Sequence, residues 1–233
     1  MDRKGFAAAL LSWWRKNKRQ FPWRKTKNPY HILVSEIMLH RTRANQVVSV
    51  YQKFIKTFPT IRDVAVAPDN RVKEILGPLG LNWRNQLFCD MARIISQNHN
   101  GQVPYDTRAL RSLPGVSNYI ASAVRCFAFG IPEVLLDTNI VRVIGRVFGE
   151  MISESSRRSR RMLELARSVF DDRHPRDFNY ALIDLAASIC KPRKPLCRVC
   201  PVRTMCEYAL NPNVAGSQID RSIGRNVNRL QNS

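Results

Sequence analysis

Acidic residues are scarce in this chain: 18 Asp and Glu stand against 38 Lys and Arg over 233 residues, a formal charge of +20 at pH 7. So large an excess of one sign goes beyond what solubility asks of a surface. It points to a polyanionic partner, nucleic acid before anionic membrane. Long apolar runs are also missing, and none reaches the roughly 18 residues that a membrane-spanning helix needs. The basic start, Met1 to Lys18, holds Trp13 and Trp14 in a helical pattern and lacks a small-residue cleavage site, so it does not read as an export signal. Without export the six cysteines are expected as reduced thiols in the cytoplasm, which favours metal ligation over disulfides. Strand-like alternation with hairpin turns is absent, and so is any internal repeat. What is present, 44% hydrophobic residues, suffices for a real core in one large domain or two small ones. The expected fold class is all-α.

Helical spacing runs through residues 4–18, and Phe21-Pro22-Trp23-Arg24 breaks it. Asn28-Pro29 opens a helix over about Tyr30 to Arg41 that is apolar nearly all round yet contains Glu36. A second amphipathic helix holds Val47, Tyr51, Phe54 and Ile55. Thr60 is set to cap a short helix, Asn70–Leu76 forms another closed by Gly77, and 84–98 forms a longer one. Further on, Leu113-Pro114-Gly115-Val116-Ser117 makes a tight turn between a short helix and a small-residue helix that starts at Asn118. Gly115 allows close backbone approach, and the amides at a helix start suit a phosphate without reading sequence. An ordinary helix–helix turn is the plainer alternative. Gly130 and Gly149 end later helices, and two more are expected at about 157–170 and 178–190. Beyond Cys206 the chain turns polar, and a mobile basic tail is expected at 211–233.

Two carboxylates stand among apolar neighbours, Glu36 and Asp137. Such surroundings raise a carboxyl pKa, and a pair in different environments can divide acid and base roles. The plainer reading has Asp137 capping the helix that starts near Thr138, Glu36 pairing with an arginine, and Tyr119 packing. Four of the six cysteines, Cys190, Cys197, Cys200 and Cys206, fall within 17 residues at C-x6-C-x2-C-x5-C. Zinc favours two close pairs, whereas one loop of four thiolates also satisfies a [4Fe–4S] cluster, and the chemistry alone leaves both open. Cys89 and Cys126 read as small buried hydrophobes.

In order along the chain, Ser35-Glu36-Ile37-Met38-Leu39-His40-Arg41-Thr42, Leu113-Pro114-Gly115-Val116, Leu136-Asp137-Thr138-Asn139 and the cysteine loop resemble the helix–hairpin–helix (HhH-GPD) DNA glycosylases, in the branch of endonuclease III and MutY. The resemblance covers roughly residues 20 to 206. It implies a [4Fe–4S] cluster on the four cysteines, a six-helix barrel domain with the hairpin at 23–135, and a cluster domain from 1–22 plus 136–210. It also implies that a base is flipped out of duplex DNA into the cleft between the domains. Asp137 takes the position of the family's catalytic aspartate, with Glu36 as the candidate to contact or protonate the base. The hairpin residues Gly115, Val116, Ser117 and Asn118 would hold the DNA backbone. Arg41, beside His40, sits where the family inserts a residue into the vacated stack. Arg193, Lys194 and Arg198 of the cysteine loop would face phosphate.

Tyr119 falls where bifunctional members carry a Schiff-base lysine. Tyrosine cannot form one, so simple hydrolysis is expected. With Tyr119 and only about 27 residues after Cys206, the chain resembles the MIG-type thymine mismatch glycosylases, which remove T or U opposite G. Ser117 departs from the usual second hairpin glycine, and the segment with Trp83 is short and unusual. Adenine, or a modified or hypermodified cytosine in foreign DNA, therefore remains an alternative target. The expected partner is double-stranded DNA with a mismatched, damaged or modified base, met by a monomer associated with the nucleoid. The reading from another class is a non-catalytic DNA-binding iron–sulfur protein. A membrane-surface protein is opposed by the lack of any amphipathic anchor beyond residues 4–18.

Overall fold

The computed structural model describes residues 3–80, 82–153 and 155–211, except the side chains of residues 3, 4 and 82–84. The tail expected at 211–233 lies, past Asn211, outside the described residues. Among the described residues regular structure is entirely helical: α1 (Arg3–Asn17), α2 (Pro29–Leu39), α3 (Ala44–Thr57), α4 (Ile61–Val66), α5 (Asp69–Leu76), α6 (Asn82–Asn98), α7 (Thr107–Ser112), α8 (Asn118–Phe129), α9 (Thr138–Phe148), α10 (Arg160–Val169), α11 (Pro175–Ser188) and α12 (Glu207–Leu210), joined by loops and short 3-10 turns. No described helix is long and apolar enough to cross a membrane.

The chain forms two compact units, Gln20–Glu133 and the residues up to Arg19 together with those from Val134 onward. The crossings fall a few residues before the limits expected from the sequence, and the hydrogen bonds explain where. Arg19 N donates to the Asp184 carboxylate at 3.1 Å, holding the end of the N-terminal segment to α11. Glu133 is bound on the other side, accepting from Arg125 Nε at 2.6 Å and from Ser122 Oγ at 3.3 Å.

In the unit of residues 20–133, α2 is the buried centre. Asn28 caps it, its side-chain oxygen accepting from Tyr30 N at 2.9 Å and His31 N at 3.3 Å, with Pro29 at the first position. Ile32 to Met38 are buried without a break, and α2 packs against α3 and α8. Thr60 and Asp63 form a reciprocal capping box that starts α4. α4 and α5 both pack on α6, and an Arg93–Asp69 ion pair fastens α5 to it. α5 ends at Leu76 with Gly77 as its C-cap, as expected, but Gly77 is right-handed: a 3-10 turn follows through Leu79, and Gly80 (φ 72°) takes the left-handed stop. Pro78 forces the change, because its missing N–H ends the α-helical ladder while a tighter turn tolerates it.

In the other unit, α1 lies on α11 and α10, and α9 packs on α11. Phe6 meets Phe148 and Phe178 edge-on at 5.4 and 6.3 Å, and Trp14 Nε1 donates to Asp184 Oδ2 at 2.9 Å. The helix expected over 157–170 is shorter. Ser156–Arg158 is a 3-10 turn, and the Ser159 hydroxyl accepts from Met162 N at 3.4 Å to begin α10. Serine offers the backbone this local bond in place of the helical one. α11 begins at Pro175 rather than 178 and stops at Ser188.

Candidate active site

The hairpin is built by two buried side chains, Leu113 and Val116, with Pro114 and Gly115 arched over them. Val116 N donates to Leu113 O at 3.2 Å to close the turn, and Gly115 (φ 77°) supplies the left-handed residue. Ser117, Asn118 and Gly115 are exposed. The Ser117 hydroxyl accepts from Ile120 N at 3.2 Å, so the serine standing in place of a second glycine is the cap of α8. Helix geometry leaves the first amides of α8 without carbonyl partners in the helix, as a phosphate site requires. Tyr119 is half-buried on the first turn of α8, and Glu36 is buried on α2, the helix against which α8 packs. His40 and Arg41 follow the end of α2, both exposed. Arg41 has φ 61°, a left-handed backbone that is uncommon for a residue with a side chain. Behind it the Thr42 hydroxyl is buried without a partner. The side chain of Trp83 lies outside the described residues.

In the other unit Asp137 is the N-cap of α9, and the capping role foreseen for it is present. Its Oδ1 accepts from Ile140 N at 2.7 Å, and its Oδ2 accepts from Asn139 Nδ2 at 3.0 Å. Capping uses one oxygen and fixes the plane of the other, at the positive end of a helix. Asn139 is itself held, because its Oδ1 accepts from Arg142 Nη1 at 2.9 Å. Arg142 is buried and also donates to two carbonyls, from Nε to Cys190 O at 3.0 Å and from Nη2 to Ala186 O at 3.1 Å. Burial pulls its guanidinium below the usual arginine value. The aspartate is thus tied through two side chains to the start of the cysteine loop.

Cys190, Cys197, Cys200 and Cys206 line one cavity of about 350 Å³, counting its open mouth, with Val143, Arg146 and Tyr208 among the other walls. Among the described residues no three His, Cys, Asp or Glu side chains form a group that could hold a metal ion. Burial pushes the thiols of Cys200 and Cys206 up to about 11, and the neighbouring cysteines add to the shift. Arg146, also buried, donates to Lys191 O and Pro192 O at 2.7 Å each, stands 3.7 Å from Cys190 Sγ and lies over the Tyr208 ring at 4.6 Å. Its Nε is buried with no acceptor. A soft donor set beside a buried guanidinium with one N–H left without an acceptor suits an anionic thiolate-bound group such as [4Fe–4S]. Arg193, Lys194 and Arg198 are exposed on the loop, and Cys89 and Cys126 are buried in the other unit's core.

Asn139 was quoted only as part of its motif and given no role, and Arg142 and Arg146 were not singled out in the sequence. The signal available was two arginines four residues apart on a helix whose other positions, Ile140, Val141, Val143, Ile144 and Val147, are apolar almost all round.

Residues 34–168 match the family described as HhH-GPD superfamily base excision DNA repair protein. The chain is 37% identical over 207 residues to a thymine/uracil-DNA glycosylase of Methanothermobacter thermautotrophicus, covering 88% of this chain and 94% of that one. It is 37% identical over 209 residues to a thymine-DNA glycosylase of Aeropyrum pernix, covering 87% and 93%. Among solved structures it resembles a thermostable thymine-DNA glycosylase, with a TM-score of 0.82 and 36% identity over 89% of this chain and 96% of that one.

Proposed function

This chain belongs to the HhH-GPD superfamily of base excision DNA repair proteins, and from that premise we propose that it is a DNA glycosylase that removes thymine or uracil, opposite guanine, by hydrolysis. The observation that carries the reading is the carboxylate of Asp137, oriented by Ile140 N and Asn139. As the bond from C1′ to the base nitrogen breaks, the electron pair leaves with the base and positive charge gathers on the sugar. The carboxylate offsets that charge, water adds at C1′ and loses a proton, and the products are the free base and an abasic site. Glu36 is the group assigned to contact the base or protonate its leaving nitrogen, with the extrahelical base reached by flipping. Tyr119 carries no amine for a Schiff base, so the strand is left uncut. His40, Arg41, Trp83, the turn Gly115–Asn118 and the loop cations Arg193, Lys194 and Arg198 are assigned to DNA, with Arg41 projecting into the gap the base vacates. The protein acts as a monomer in the compartment that holds the chromosome.

Cys190, Cys197, Cys200 and Cys206 would hold a [4Fe–4S] cluster whose contribution is structural, since four protein thiolates leave no place for substrate. Iron with matching inorganic sulfide in protein purified anaerobically supports it; stoichiometric zinc refutes it.

The test is an abasic-site assay on duplexes carrying T:G, U:G, A opposite 8-oxoguanine, and modified cytosines. Excision from T:G and U:G is expected, lost in Asp137→Asn while duplex binding persists. Near-normal excision by that variant removes Asp137 from the chemistry. Excision only from adenine or modified cytosine overturns the substrate assignment, and an adduct trapped by borohydride overturns simple hydrolysis.

A further inference from the structure

Four of the five residues Arg157-Arg158-Ser159-Arg160-Arg161 are arginines, and all four are exposed. They sit on the 3-10 turn Ser156–Arg158 and the first turn of α10, which contains no acidic residue. Placing Arg160 and Arg161 there sets positive charge against the positive end of the helix, the unfavourable sense for the macrodipole. Local acids answer only part of it. Arg160 pairs with Glu164 at 2.8 Å and Arg161 with Glu150 at 2.9 Å, while Arg157 and Arg158 have no partner among the described residues. The turn that presents them is fixed, because Ser156 is buried and its hydroxyl accepts from Ser153 N at 2.8 Å.

The position is equally informative. Glu150, the partner of Arg161, lies just past the C-terminal end of α9, and its N donates to Gly145 O at 2.9 Å. Asp137 caps the other end of the same helix. Eleven residues separate the ends by about 16 Å at 1.5 Å per residue. This concentration of unanswered positive charge is therefore remote from the aspartate.

We propose that Arg157 and Arg158, with Arg160 and Arg161 beside them, form a further, sequence-independent contact for the sugar–phosphate backbone of duplex DNA, distinct from the hairpin and the cysteine loop. Guanidinium forks match phosphate oxygens. No apolar residue occurs in 157–161 to anchor a protein groove or a bilayer. The proposal rests on the reading that the chain works on DNA, and its test does not use excision. Affinity for a lesion-free duplex is measured against salt for the wild-type protein and for Arg157→Gln/Arg158→Gln. Each lost phosphate contact removes about 0.9 from the log–log slope, so the double variant should be shallower by about 2. Its melting temperature should not fall, and its single-turnover excision at saturating enzyme should match wild type. An unchanged slope in the folded variant overturns the proposal. So does an unchanged slope with lost binding to phosphatidylserine vesicles, which makes the patch a membrane contact. A reduced slope in a protein that excises none of the candidate bases leaves this contact standing while the glycosylase reading fails.

Discussion

In the proposed mechanism the Asp137 carboxylate must be held in place, and Asn139 is the side chain that holds its second oxygen. Asn139→Ala should lower the single-turnover excision rate by about 10-fold or more, because a misplaced group loses orientation rather than chemistry. Stability should fall by about 1–2 kcal/mol, because the buried Arg142 loses the acceptor of its Nη1. A rate loss that disappears when enzyme is raised to saturation would instead mark Asn139 as a binding residue. The capping position of Asp137 was legible because its motif is local. Arg142 and Arg146 were not, because arginine in a sequence reads as surface charge, and their burial depends on carbonyls that α11 and the cysteine loop bring from more than forty residues away. Asp171 shows a similar balance. Burial alone would raise its carboxyl, but hydrogen bonds from His174 and from the backbone and side chain of Arg173 hold it below the ordinary value. A folded value below the unfolded one adds stability above about pH 4, and that contribution is lost as pH falls through the folded value. Urea midpoints of wild type and Asp171→Asn should therefore differ near neutrality and converge in acid.

Among the elements, some helix starts marked by a capping side chain were readable, while the starts of α10 and α11 were displaced. Asn28, Thr60, Ser117 and Asp137 each sit where a capping side chain is observed. Helix ends marked by glycine were readable too: Gly130 and Gly149 stop α8 and α9 in the left-handed conformation. Gly77 caps α5 right-handed, because the following proline carries the chain into a 3-10 turn that ends at Gly80. The hairpin gives the sharpest test at this scale. Gly115→Ala meets only the Leu87 side chain, no closer than 3.4 Å, so space is available and the φ of 77° sets the penalty. Strain of about 1–2 kcal/mol is expected, and Ser117→Ala should cost about 1 kcal/mol through loss of the cap. Both should weaken duplex binding in proportion to their effect on the turn, and denaturation with fluorescence anisotropy measures both quantities. Unaltered duplex affinity in a Gly115→Ala protein with a lowered melting temperature would separate the turn from DNA.

For the molecule as a whole, the all-α class followed from periodicity alone. The attachment of α1 to α11 has no local signature, since Trp14 and Asp184 are 170 residues apart. One buried carboxylate oxygen accepts from both Trp14 Nε1 and Arg19 N. Asp184→Ala leaves two donors without an acceptor and should cost about 2 kcal/mol or more. Its equilibrium denaturation should show the loss in the unit that contains α1, and hydrogen exchange of α1 amides would locate it. Unchanged protection there would mean that the Phe6 contacts suffice.

That long separation also sets an order of events at the ribosome. α1 is made before α11, with Phe6, Leu10, Leu11 and Trp14 destined for burial, and α11 follows only after the whole intervening unit. At roughly 5–20 residues per second the wait is on the order of 10–30 s. During synthesis α1 carries a sticky surface whose partner helix α11 is not yet made. A chaperone that holds short basic, aromatic helices would find its client there.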